Sequence, residues 1–167
     1  MESFRTFIED SVSSDDRYGT ASRHDRPDRS LLATRFHAGG PCWFELAIRP
    51  AVPDVRVGFV TDDPVTNDGV LELISDAGQS LSEYVQAGLR EAGLDEPEMM
   101  VVHHQNEGNT YSFTTSFKLD ELADLDSDDV RDKTLQVLEG FLIAFGPALL
   151  VETDPGEDSD DWEEDET

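Results

Sequence analysis

The stretch CWFELAIRPAVPDVRVGFVT, residues 42–61, decides the fold. Its first eight residues alternate: Cys42, Phe44, Leu46 and Ile48 fall on one side of an extended chain, and Trp43, Glu45, Ala47 and Arg49 on the other. Successive side chains of a strand point to opposite faces, so one apolar set at a period of two marks a sheet with a buried side and an open side. Pro50 to Pro53 makes a turn. Val55, Val57 and Phe59 then continue the apolar set, opposite Arg56, Gly58 and Val60. A connection this short joins neighbouring antiparallel strands.

Upstream, Leu31 to His37 is a third strand, ending at the turn signal Gly39-Gly40-Pro41. Before it, Ser13 to Ser30 reads as a flexible connection, and Phe4, Phe7, Ile8 and Val12 form the apolar stripe of a short N-terminal helix. Downstream, Asp62-Asp63-Pro64 stops the strand and opens a helical region over 64–93. Gly78 weakens its middle, so a bend or two shorter pieces are expected. Residues 98–104 read as a strand, 106–109 as a hairpin loop and Thr110 to Lys118 as a strand. In that last strand Tyr111, Phe113, Thr115 and Phe117 face the core and the alternate hydroxyls face water. A final helix over 127–145 ends at Gly146-Pro147, leaving Ala148 to Val151 as a coda, either an edge strand or a cover. The expected fold is α+β in the order α-β-β-β-α-β-β-α, a mainly antiparallel five-stranded sheet with helices packed on one face. The chain divides into an N-terminal helix (1–12), an Arg-containing linker (13–30), an α+β domain (31–151) and a disordered acidic tail (152–167).

Charge narrows the range of functions. Of 38 acidic and 12 basic residues, net −26, residues 1–60 carry nine acids and eight arginines, while the remainder carries 29 acids and four bases. Such a surface repels nucleic acid and anionic lipid, so neither direct nucleic-acid nor membrane binding is expected. Strong acid excess with only two lysines resembles the proteins of extreme halophiles, where concentrated salt screens self-repulsion. With no signal-peptide pattern and no apolar run long enough for a span, a cytoplasmic protein is expected. Arg17, Arg23, Arg26 and Arg29 form the one basic cluster visible in the sequence. It reads either as a docking arm for an acidic or phosphate-bearing partner or, as preferred here, as a linker neutralised by Asp15, Asp16, Asp25 and Asp28 or folded onto its own acidic domain.

Little in the sequence points to catalysis. His103 and His104 are adjacent on a strand and so point apart, which makes one half-buried, one exposed, and a shared metal unexpected. Asp124, Asp126 and Asp128 begin like a calcium loop, but Asp129 stands at its glycine position and Leu135 at its final glutamate position; helix capping explains them better. Cys42 lies with the apolar set and reads as a core thiol. No catalytic, cofactor-binding or metal residue is assigned, and no cofactor is expected. The candidate protein-binding residues are Trp43 and Val60, which alternation places opposite the core, and Trp162, alone among the acids of the tail.

The order helix, three strands, helix, two strands, helix resembles the type III secretion chaperone-like fold shared with the YbjN family, over roughly residues 2–150. That resemblance carries no site motif. It implies a non-enzymatic, dimeric module that binds a partner polypeptide. Two other expectations stand beside it: a polyanion mimic that takes a basic, DNA-binding partner through the acidic half and tail, and a small-molecule or metal sensor using His103, His104 or His37.

Overall fold

Among the described residues, six strands pair antiparallel in one sheet of order β1-β2-β3-β4-β6-β5. They are β1 (Thr20–Arg23), β2 (Leu32–Gly39), β3 (Cys42–Arg49), β4 (Asp54–Thr61), β5 (Val102–Asn106) and β6 (Thr110–Lys118). The structure, a computed structural model, describes residues 1–95 and 99–151. The fold is α+β, with helices α1 (Glu2–Val12), α2 (Pro64–Asp76), α3 (Leu81–Glu91) and α4 (Asp128–Val151).

The alternation of residues 42–61 is realised as a register. Phe36, Phe44, Phe59 and Phe113 lie opposite one another across four neighbouring strands. Above this row α4 lays Phe145, stacked on Phe59 at 4.8 Å and tilted against Phe113 at 5.3 Å. Phe4, Ile8 and Val12 of α1 join the same core. Apolar burial drives this layer, since each such aromatic removes 150–250 Å² from water. α1 is fixed at the β1–β2 margin by Arg5, whose Nη2 donates to Asp25 at 2.8 Å and to the Ala33 carbonyl at 3.0 Å. Hydrogen bonding to that guanidinium is the main reason the Asp25 carboxyl is held below its usual range.

Helix ends follow their caps. Asp63 accepts from the backbone of Val65 and Thr66, with Pro64 in the first turn. The helical region breaks at Gly78, where φ is +66°, and restarts at Ser80 with a reciprocal capping box to Glu83.

Three expectations are corrected. The sheet has six strands, not five, because the connection 13–30 is not featureless: it holds a 3-10 turn, Asp16–Tyr18, and then β1, paired with β2. Tyr18 is buried there with its ring edge against Phe36 and Phe44. The last helix does not stop at Gly146-Pro147 but runs to Val151 with Pro147 inside it. A proline in a final turn forfeits one backbone bond, and buried Ala148 keeps that turn packed, so residues 148–151 form no separate coda. The strand expected at 98–104 begins only at Val102. The expected tail, 152–167, lies outside the described residues.

Candidate functional site

The face of the sheet opposite the helices is built by the alternate residues of each strand. Across it the register sets Trp43 beside Val60 and Val60 beside Ser112, then Ser112 beside His104. One row on, Arg35 pairs with Glu45, Glu45 with Gly58 and Gly58 with Thr114; the next row brings Ala33, Ala47, Arg56 and Ser116 together. Small residues beneath long ones make the face concave. The concavity holds about 690 Å³, and its lining comes only from strands and the β1–β2 turn.

Four arginines reach this trough, Arg26, Arg35, Arg49 and Arg56, with His24 and His104, against Glu45 as the one acid of its lining among the described residues. Arg49 is tied to buried Asp54 through a bidentate ion pair. Arg35 donates to Glu45 at 3.3 Å and lies over the Trp43 ring at 5.0 Å. Arg56 and Arg26 make no ion pair with a described residue. The field is felt locally: His24 is pushed below its ordinary value first by desolvation and then by the charges of Arg35 and His37. Ser22 Oγ bridges His24 and His37, at 2.9 and 2.8 Å.

Trp43 is half-buried on this face, and its indole Nε1 is buried with no hydrogen-bond partner. Neither the N-terminal helix nor residues 148–151 cover it, since both lie on the core side. A buried donor left without an acceptor costs about 1–3 kcal/mol. The three rows of hydroxyls on β6, Ser112, Thr114 and Ser116, supply further polar anchors.

Of the residues singled out from sequence, Trp43 and Val60 are therefore brought together, while Trp162 lies outside the described residues. Cys42 is in the core, 3.7 Å from Thr61 Oγ1. His103 and His104 do point apart. The His103 ring stacks on Phe113 at 4.6 Å and meets Asn67 Oδ1 at 2.8 Å, while His104 is exposed on the open face. Among the described residues no group of three His, Cys, Asp or Glu could hold a metal ion, and no helix is long and apolar enough to cross a membrane.

Three arginines of the linker's cluster, Arg17, Arg23 and Arg29, pair with acids of their own domain, as the preferred reading of the sequence has it, Arg29 with Glu2 at 3.9 Å. Arg17 is bound to Asp15 and Glu139, and Arg23 to Glu9 and Glu2, so they neutralise their own domain. A second cluster, missed in the sequence, is assembled by the sheet from Arg35, Arg49 and Arg56 with Arg26. The signal was present: Arg49 shares its alternation with Trp43, and Arg56 shares its with Val60.

No protein-family model, no curated protein and no solved structure matches this chain.

Proposed function

We propose that this protein is a non-enzymatic polypeptide-binding module whose open sheet face holds an extended segment of a partner. The observation that carries this reading is the trough around Trp43, a broad apolar-and-guanidinium surface in a chain of net charge −26. Tryptophan and arginine are the residues that most often dominate binding energy at protein interfaces. Beside the trough, β5 pairs among the described residues on one side, with β6, so an extended peptide could also add to that edge. The guanidinium cluster favours a segment rich in acidic or carbonyl acceptors over a basic one. Selection of random peptides on the full chain tests this. Peptides are expected to bind the native chain and to bind Trp43→Ala and Arg56→Glu at least about tenfold more weakly. Peptides that bind both variants as well as the native chain would overturn it.

A second observation favours self-association. α2 exposes Val65, 76% accessible, and Leu73, 39%, in one stripe with Gly69. These residues line a groove of about 280 Å³ that ends on Ala148. We read this stripe as the seat of a second copy of the chain. Sedimentation of the native chain is expected to give a dimer that Val65→Glu converts to monomer; a native monomer would contradict it.

A further inference from the structure

We propose that the open face is occupied in cis by the chain's own acidic segment, residues 152–167, which acts as an internal competitor for the partner. The proposal rests on the reading of that face as a polypeptide-binding surface.

Lys133, early in α4, sits over Phe117 at one end of the sheet, and Phe145, late in α4, stacks on Phe59. The helix therefore runs toward the end of the sheet marked by Cys42, Thr61 and Tyr111, which share one register row. The neighbouring row on the opposite face is Trp43, Val60, Ser112 and His104. The chain leaves Val151 at the end of the sheet where the indole lies.

Reach is not limiting. The segment's 16 residues span up to about 50 Å when extended. Adjacent strands are about 4.8 Å apart, so turning the sheet end and crossing the trough needs only part of that length.

Charge selects this occupant. Residues 152–167 carry ten acids and no base, and the trough presents Arg56 and Arg26 without ion-pair partners among the described residues, with one acid in its lining. The segment's carboxylates match the need of the face for ion pairs with these guanidiniums. Trp162, flanked by Asp161 and Glu163, brings an apolar ring for the half-buried indole and the Arg35 guanidinium that lies over it. Added salt screens the ion-pair terms and so weakens that part of the docking.

The test uses the full chain carrying a spin label at Ser159→Cys, with Cys42 buried and shielded from the reagent. Amide resonances of Arg56, Ser112 and Thr114 are expected to lose most of their intensity, and those of α1 and of residues 122–126 to keep theirs. The same loss at high dilution and with an excess of unlabelled chain present identifies the contact as intramolecular. Full intensity on the open face, or loss there only at high concentration, would overturn docking in cis. A synthetic peptide of residues 152–167 added to a chain whose Asp158, Asp160, Asp161, Glu163 and Glu164 are changed to their amides separates the two ideas. Should the peptides selected above bind the face while the label leaves it untouched, the cis proposal alone falls. Should those peptides also ignore Trp43→Ala and Arg56→Glu, the reading beneath it falls too.

Discussion

The guanidinium of Arg35 lies over the indole of Trp43, 5.0 Å from the ring centroid, on the face of the sheet that carries no described helix. Its neighbour Phe44, one residue on, points the other way and is fully buried in the aromatic core. The two are therefore expected to separate binding from stability. Phe44→Ala should cost about 3–5 kcal/mol, the usual range for a core aromatic. Trp43→Ala should cost about 1 kcal/mol, because the half-buried ring gives up packing but also removes an unsatisfied donor. Urea unfolding of both variants checks this; equal losses would place Trp43 in the core's energetics.

Gly88 of α3 and Gly140 of α4 set how closely those helices cross. A Cβ at Gly88 would stand 2.5 Å from the Gly140 carbonyl oxygen, and one at Gly140 would stand 2.8 Å from Leu89 Cα. Backbone cannot yield as a flexible side chain can, so alanine at either position is expected to destabilise by about 1–3 kcal/mol despite its better helix propensity. Gly69, in α2, has open space where a Cβ would go. There, Gly69→Ala should stabilise by about 0.5–1 kcal/mol. Opposite signs in thermal unfolding are the expected result.

Arg5 is 1% exposed and its principal partner is Asp25. Asp25→Ala leaves a buried guanidinium with the Ala33 carbonyl, Thr34 and the more distant Glu2. A fully buried pair broken in this way costs about 3–5 kcal/mol. Asp25 keeps contact with water, its side chain being 31% exposed, so about 2 kcal/mol is expected. Arg5→Met, which removes the charge and keeps volume at the site, should cost less. The order of the two midpoints in denaturant decides it.

His103 gives the fold an acid-sensitive contact. Its imidazole is held below the ordinary value of 6.5, first by desolvation against Phe113 and then by the charge of His104. A base with a depressed folded value is protonated more readily in the unfolded chain, so stability falls as pH drops through and below the unfolded value. Between about pH 7 and 5 the native chain should lose stability more steeply than His103→Gln. Parallel curves would mean that His103 does not titrate differently in the folded state.

The strands from Leu32 to Thr61 and from Thr110 to Lys118 were readable because burial on one side writes a period of two into the sequence. β1 was not readable: TASR has no apolar alternation, and it is held in the sheet by pairing with β2, next to a buried Tyr18. Pro147 misled because a proline near a helix end reads as a stop, whereas Ala148 beyond it is buried. Gly88 and Gly140 looked like weak helix formers, and their role lies in a crossing that no single helix reveals. The site was half readable. Alternation put Trp43 and Val60 on the open face, but Arg35, Arg49 and Arg56 lie apart in sequence and gather only when three strands pair in register.

The central claim is that a local basic trough, not the chain's overall charge, holds the partner segment. Its most direct test is calorimetric titration of one selected peptide into the native chain, Arg56→Glu and Arg90→Glu. Both variants change the net charge equally, and Arg90 lies exposed on α3. The account predicts a loss of about tenfold or more in affinity for Arg56→Glu and native affinity for Arg90→Glu. An equal loss in both, or none in either, would contradict it.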